Sequence, residues 1–223
     1  ALACLGVGRF HDARRLVARS DELAARLSAH HRMHGVARRV EAEELAGNWA
    51  AVRALTPVAE EAVAANRDTP CTRNARTLLV CALAWQHAGA EEEARGLETK
   101  ADELGLEGYE YSQQPPRLRL ALARRERPDA GPPIGSSGGH VLTFGLSHLS
   151  ARLDALAAAG DRDAVEALAV QLLEPATYLE PFALRALGIV REDAELVAQA
   201  LAGFEAMRID WHAAETRRLV LQA

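Results

Sequence analysis

Three observations predict an all-α chain, an α-solenoid of antiparallel helical hairpins with a repeat of about 40 residues. Ala and Leu dominate, Ile occurs only at positions 134, 189 and 209, and aromatic residues are 4% of the chain, so strong helix formers outnumber strand formers. Apolar residues recur every three or four positions, the period of one helix face. Finally, Gly8-Arg9-Phe10-His11-Asp12-Ala13, Gly47-Asn48-Trp49-Ala50-Ala51-Val52 and Gly89-Ala90-Glu91-Glu92-Glu93-Ala94 mark hairpin turns at spacings of about 39 and 42 residues. Glycine suits such turns because the chain there enters the left-handed region that a Cβ disfavours.

The opening ALACLGVGRF reads as the tail of a helix, and the first residue is Ala1, so the sequence is expected to be cut from a longer one. A helix from about 11 to 28 follows, with Ala13, Leu16, Val17, Leu23 and Leu27 as its apolar positions. The second hairpin carries Met33, Val36, Ala37, Val40 and Leu45, then Val52, Leu55, Val58, Ala59 and Val63, with Pro57 inside its second helix as a kink. In the third, Thr69 is the expected cap and Pro70 the first helical residue. Leu78, Cys81, Ala82 and Trp85 share one face there, with Arg73, Arg76 and Gln86 largely elsewhere, and Trp85 is expected to be a core knob. The partner helix carries Ala94, Leu97, Ala101 and Leu104, and its acidic first turn, Glu91 to Glu93, suits the helix dipole.

Pro115-Pro116 are expected to start a short helix ending near Arg125. Residues 127–140, RPDAGPPIGSSGGH in the sequence, read as a flexible linker, since Pro removes backbone donors and Gly and Ser leave the chain unrestrained. The expected division is therefore 1–126, an N-terminal set of repeats; 127–140, the linker; and 141–223, a C-terminal set. The last set has Leu146, Leu149, Leu153 and Leu156, then Val165, Leu168, Ala169 and Leu172 beyond Gly160-Asp161. A further pair and a closing helix with Trp211, Ala214 and Leu219 end it, the closing helix serving as a cap over an apolar face.

Composition narrows the function. Hydrophobic residues at 49% and charged residues at 26% are ordinary globular usage. A net charge of -5 supplies no footprint for a polyanion, so nucleic acid is not an expected partner. No run reaches the roughly 18 apolar residues that span a bilayer, so no membrane partner is expected. Cys4, Cys71 and Cys81 form no CxxC pair and leave one thiol over, which suits a reducing cytoplasm.

Leu78, Cys81-Ala82, Trp85, Gly89, Ala94 and Ala101 resemble the small, aromatic and turn positions of the tetratricopeptide-like repeat, although Glu98 and Leu106 depart from its aromatic and proline positions and the repeat exceeds the standard 34 residues. The chain is similar to the degenerate repeat region of bacterial multidomain signalling ATPases, the MalT-like transcriptional regulators and cyclase-linked proteins. The segments Gly108-Tyr109 with Pro116 to Leu122, and Tyr178 to Gly188, point the same way, as does the ending Phe204-Glu205-Ala206 with Trp211 to Ala214. The resemblance implies a non-catalytic protein-interaction or regulatory module whose partner is a protein, a peptide or the neighbouring domains of its parent. An ATPase or DNA-binding part would lie outside this sequence, which has no GxxxxGK[ST] loop.

Candidate sites are few. If first helices line the inner surface of the stack, Arg73, Arg76, Gln86 and His87 are the expected partner-binding residues. The alternative is an effector-sensing domain, or a fragment of an ATP-dependent regulator or nucleotide cyclase, with a pocket between the halves where Tyr109, Tyr111 and His140 gather. His30 and His34, at i and i+4, face the same way on a helix, but no third ligand stands at a diagnostic spacing and His31 completes no HExxH. Cys71 and Cys81 lie about 15 Å apart along one helix and cannot share an ion. No metal, cofactor or catalytic residue is predicted. Cys81 reads as a core position, Asp161 and Asp163 as a helix start, and Glu41, Glu43 and Glu44 as the wet face of a helix.

Overall fold

A computed structural model describes residues 1–69, 71–105, 110–127 and 141–220. Among them the chain forms twelve α-helices and no strand: α1 (Leu2–Gly6), α2 (Phe10–Ala24), α3 (Ala29–Leu45), α4 (Trp49–Ala65), α5 (Thr72–His87), α6 (Glu91–Asp102), α7 (Glu110–Ala123), α8 (Val141–Ala159), α9 (Arg162–Ala169), α10 (Glu180–Arg191), α11 (Ala194–Ala206) and α12 (Asp210–Val220). Helices adjacent in sequence pack on each other at every short turn, and α3, α5 and α7 adjoin one after another, as do α8 and α10.

The turns follow the sequence closely. Gly8, Gly47, Gly89 and Gly160 all have φ between +67° and +76°, so the stop signals act where the spacing puts them. Ser28, Asn48, Asp161 and Asp193 accept from the exposed amides of α3, α4, α9 and α11. Asp161 thus caps a helix, as expected.

Other expectations are corrected. Helix α5 begins at Thr72, with Cys71 rather than Thr69 at its cap position and in extended backbone; Pro70 lies outside the described residues. Helix α7 starts at Glu110, so Pro115 and Pro116 stand inside it. A proline at 116 cannot donate to the Ser112 carbonyl four residues back, and the Arg76 guanidinium donates to that oxygen instead, at 3.4 Å. Leu16, Leu23 and Leu27 are 44%, 49% and 53% exposed, and the core face of α2 is Phe10, Ala13, Val17 and Ala24. Val58 is also exposed and Trp85 only half buried. The linker lies outside the described residues from position 128 onward.

Two large clusters make the core. One joins Met33, Val40, Trp49, Leu79, Leu83 and Leu97 across α3 to α6, with Leu120 from α7. The other joins Leu5, Phe10, Val17 and Leu45 to Leu153, Phe182, Phe204 and Ile209. The division of the chain at 127–140 is therefore not a division of the core: α1 to α3 share one interior with α8 to α12. Tyr178 ties them further, its backbone N–H donating to the Gly6 carbonyl at 2.9 Å and its hydroxyl to the Leu45 carbonyl at 3.0 Å. At Gly8 an added Cβ would lie 2.4 Å from the Met207 sulfur. The first and last hairpins thus cover one another's apolar faces, a closure that nearest-neighbour stacking does not require.

Candidate functional site

Closure places the facing sides of α3, α5, α7, α8 and α10 in the interior, and those sides carry charged and polar side chains among the apolar ones. Glu41 and Glu44, one turn apart on α3, are 4% and 2% exposed. They correct the expectation of a wet face. Glu44 Oε2 accepts from Arg76 Nη2 at 2.5 Å, and Oε1 accepts from the Ser147 hydroxyl at 2.7 Å. Glu41 Oε2 accepts from Arg38 at 2.8 Å and lies 3.5 Å from Arg73 Nη1. Both α5 guanidiniums sit over the Phe144 ring, 5.0 and 4.8 Å from its centroid, which adds cation–π attraction. Burial lowers the pKa of Arg73, with Glu41 pulling the other way.

The column continues on α8. Arg119 donates to the Ser150 hydroxyl at 2.8 Å, and Arg185 to Asp154 at 2.7 Å and to Thr216 at 3.1 Å. At its end His212 is fully buried, and burial, reinforced by Arg119 and Arg185, holds it neutral with a pKa well below the ordinary value. His87 stacks on Trp49 with ring centroids 4.7 Å apart and meets Trp211 edge-on at 4.9 Å. Burial, with Arg119 and Arg53 nearby, lowers His87 to about 4.

The four residues expected to bind a partner all have partners within the chain. Arg73 and Arg76 are 5% and 3% exposed and engage Glu41 and Glu44. Gln86 accepts from Arg124 Nε at 3.1 Å, and His87 is held in the tryptophan pair. Of the residues expected at a pocket between the halves, Tyr109 and His140 lie outside the described residues; Tyr111 lies 6.4 Å from Phe144, ring centre to ring centre.

Open surface is found elsewhere. Two adjoining grooves of about 310 and 260 Å3 run along α4 and α6 and share Glu60 and Lys100. The Lys100–Glu60 ion pair, at 2.5 Å, stands between them. Pro57, Trp85 and Leu97 contribute to one groove, and Val63, Leu78 and Leu104 to the other. Sequence reasoning placed Trp85 in the core because its spacing matches the buried face; its half exposure depends on the neighbouring helices.

A second feature was legible only in part. His30 and His34 do lie on one face of α3, with ring centroids 4.4 Å apart. The start of α5 brings Cys71 to them from 37 residues away, its sulfur 3.4 Å from His34 Nε2. One ligand atom from each of the three lies within 4.8 Å of the others. Sequence spacing supplied no third ligand because the third comes from a different hairpin. Burial, with Arg73 the next largest influence, lowers His34 to about 4, so its imidazole is neutral near pH 7. Comparison with protein-family models, curated proteins and solved structures finds no match to this chain.

Proposed function

We propose that this chain is a non-catalytic interaction module, a tetratricopeptide-like repeat region that a larger bacterial signalling or transcriptional regulator uses in the cytoplasm to hold a protein or peptide partner or its own neighbouring domains. The observation that supports this most is the repeated packing step: a left-handed glycine at each of the turns at 8, 47, 89 and 160, and α3, α5 and α7 laid side by side with α4 and α6 outside them. Such steps build extended surfaces rather than a single enclosed cleft. The inner polar residues do not serve as the contact surface in this reading, because their charges are spent on each other. The groove along α4 and α6 serves instead. Its half-exposed indole, its apolar floor and its mixed-charge rim of Arg53, Glu60, Glu93 and Lys100 suit an extended peptide with apolar side chains and both signs of charge.

No helix among the described residues is long and apolar enough to cross a membrane. Peptides selected from a display library against the full chain test the reading. Selected peptides should shift tryptophan emission on binding and lose at least tenfold in affinity against Trp85→Ala and Lys100→Glu. Selection of no binder, or of binders indifferent to both substitutions, would remove the groove as the contact surface.

A further inference from the structure

We propose that His30, His34 and Cys71 form a zinc site that clips the N-terminal end of α3 to the start of α5, with three protein ligands and a fourth position taken by water or an anion. The geometry is close to what the ion needs. Zn–N and Zn–S bonds of about 2.0–2.3 Å place ligand atoms of a tetrahedral site roughly 3.3–3.8 Å apart. Cys71 Sγ and His34 Nε2 are already at 3.4 Å, and all three ligand atoms fall within 4.8 Å of one another.

The side chains are also uncommitted in the way ligands should be. Nδ1 of His30 is buried without a hydrogen-bond partner among the described residues, a cost that a metal bond would relieve. Cys71 stands at the cap position of α5, yet its side chain accepts no cap hydrogen bond and its sulfur meets His34 instead. It is 6% exposed. His31, between the two histidines, is occupied elsewhere: its Nδ1 lies 2.8 Å from the Ser28 hydroxyl that caps the same helix. The donor set, two imidazoles and one thiolate, is borderline-soft and suits Zn2+ in preference to Mg2+ or Ca2+.

The charge around the site sets its character. Arg38 and Arg73 flank His34, and Glu41 is hydrogen-bonded to Arg38 and ion-paired with Arg73. One cation therefore remains locally uncompensated. It favours an anionic fourth ligand over a neutral one. Binding releases the Cys71 thiol proton to solvent and leaves the metal without redox change. The ion would join two hairpins that otherwise meet through side-chain packing and the Glu41–Arg73 and Glu44–Arg76 ion pairs, so it acts as a clasp on the stack.

The test uses the full chain stripped of metal and titrated with Co2+, a spectroscopic stand-in for zinc. One equivalent should produce a thiolate-to-cobalt charge-transfer band with tetrahedral visible bands, and Zn2+ should bleach both. Cys71→Ser should abolish the band, and His30→Ala and His34→Ala should each weaken binding at least tenfold, with circular dichroism checking the fold. Cys4→Ser should change nothing. Independently, Zn2+ should protect Cys71 of the unmutated chain from alkylation mapped by mass spectrometry while Cys4 remains labelled. Absence of the band in the unmutated chain, its survival in Cys71→Ser, or labelling of Cys71 unaffected by Zn2+ would overturn the proposal.

Discussion

Replacing Glu44 by Ala is expected to cost about 3–5 kcal/mol, because it leaves the Arg76 guanidinium buried without its counter-charge. The two side chains are 1% and 4% exposed. With Glu44 gone, Arg76 keeps the Ser112 carbonyl at 3.4 Å and the face of Phe144 among the described residues, and neither supplies a negative charge. The exposed pair Arg95–Glu91 has the same 2.5 Å separation but is 71% and 54% exposed, so Glu91→Ala should cost under about 1 kcal/mol. The contrast isolates burial from distance. A double replacement, Glu44→Leu with Arg76→Met, removes both charges and should recover much of the loss. It still removes the Glu44 carboxylate that accepts from the buried Ser147 hydroxyl, so a residual cost of about 1–3 kcal/mol is expected. Urea unfolding followed by far-UV circular dichroism gives the three values. A Glu44→Ala chain within about 1 kcal/mol of the original, or a double variant as unstable as the sum of its singles, would refute the account of a paired buried charge.

Gly47→Ala should destabilise well beyond Gly89→Ala in thermal melts, since both have φ near +70° but only at 47 does an added Cβ strike a neighbour, Trp211 at 2.9 Å. Trp49→Ala should cost about 3–5 kcal/mol and Trp85→Ala distinctly less, because the first indole is 5% exposed and the second lines an open groove; equal costs in denaturant would contradict the burial. Stability should fall as pH is lowered from 6.5 towards 4. His87 and His148 are each held at about 4 by burial, whereas the unfolded chain takes up protons near 6.5. The unfolded state thus binds more protons in that window, stability is full above it, and each such histidine contributes a slope of up to about 1.4 kcal/mol per pH unit. A flat denaturation midpoint between pH 7 and 5 would argue against it. Cys81, whose thiol burial pushes up to about 12, should resist alkylation in the native state while Cys4 reacts, as peptide mapping can read.

The hairpin turns, the capping role of Asp161, the acidic first turn of α6 and the core position of Cys81 were all legible in the sequence. Each depends on contacts within a few residues or on one helix's own periodicity, which local residue order determines. What the sequence could not supply is which face each helix turns toward a neighbour from elsewhere in the chain. Leu16, Leu23 and Leu27 match a core stripe by spacing, yet they face outward because Phe10, Ala13, Val17 and Ala24 meet α3 and the C-terminal core. Glu41 and Glu44 look like solvated charges until closure of the first hairpins onto the last turns their face inward against Arg73, Arg76 and Ser147. The His30, His34 and Cys71 cluster depends on the same kind of meeting across 37 residues. Local order settled helices and turns because a helix's hydrogen bonds close within four residues; burial of charge and convergence of ligands needed the tertiary structure, since they arise only where separate helices exclude water together.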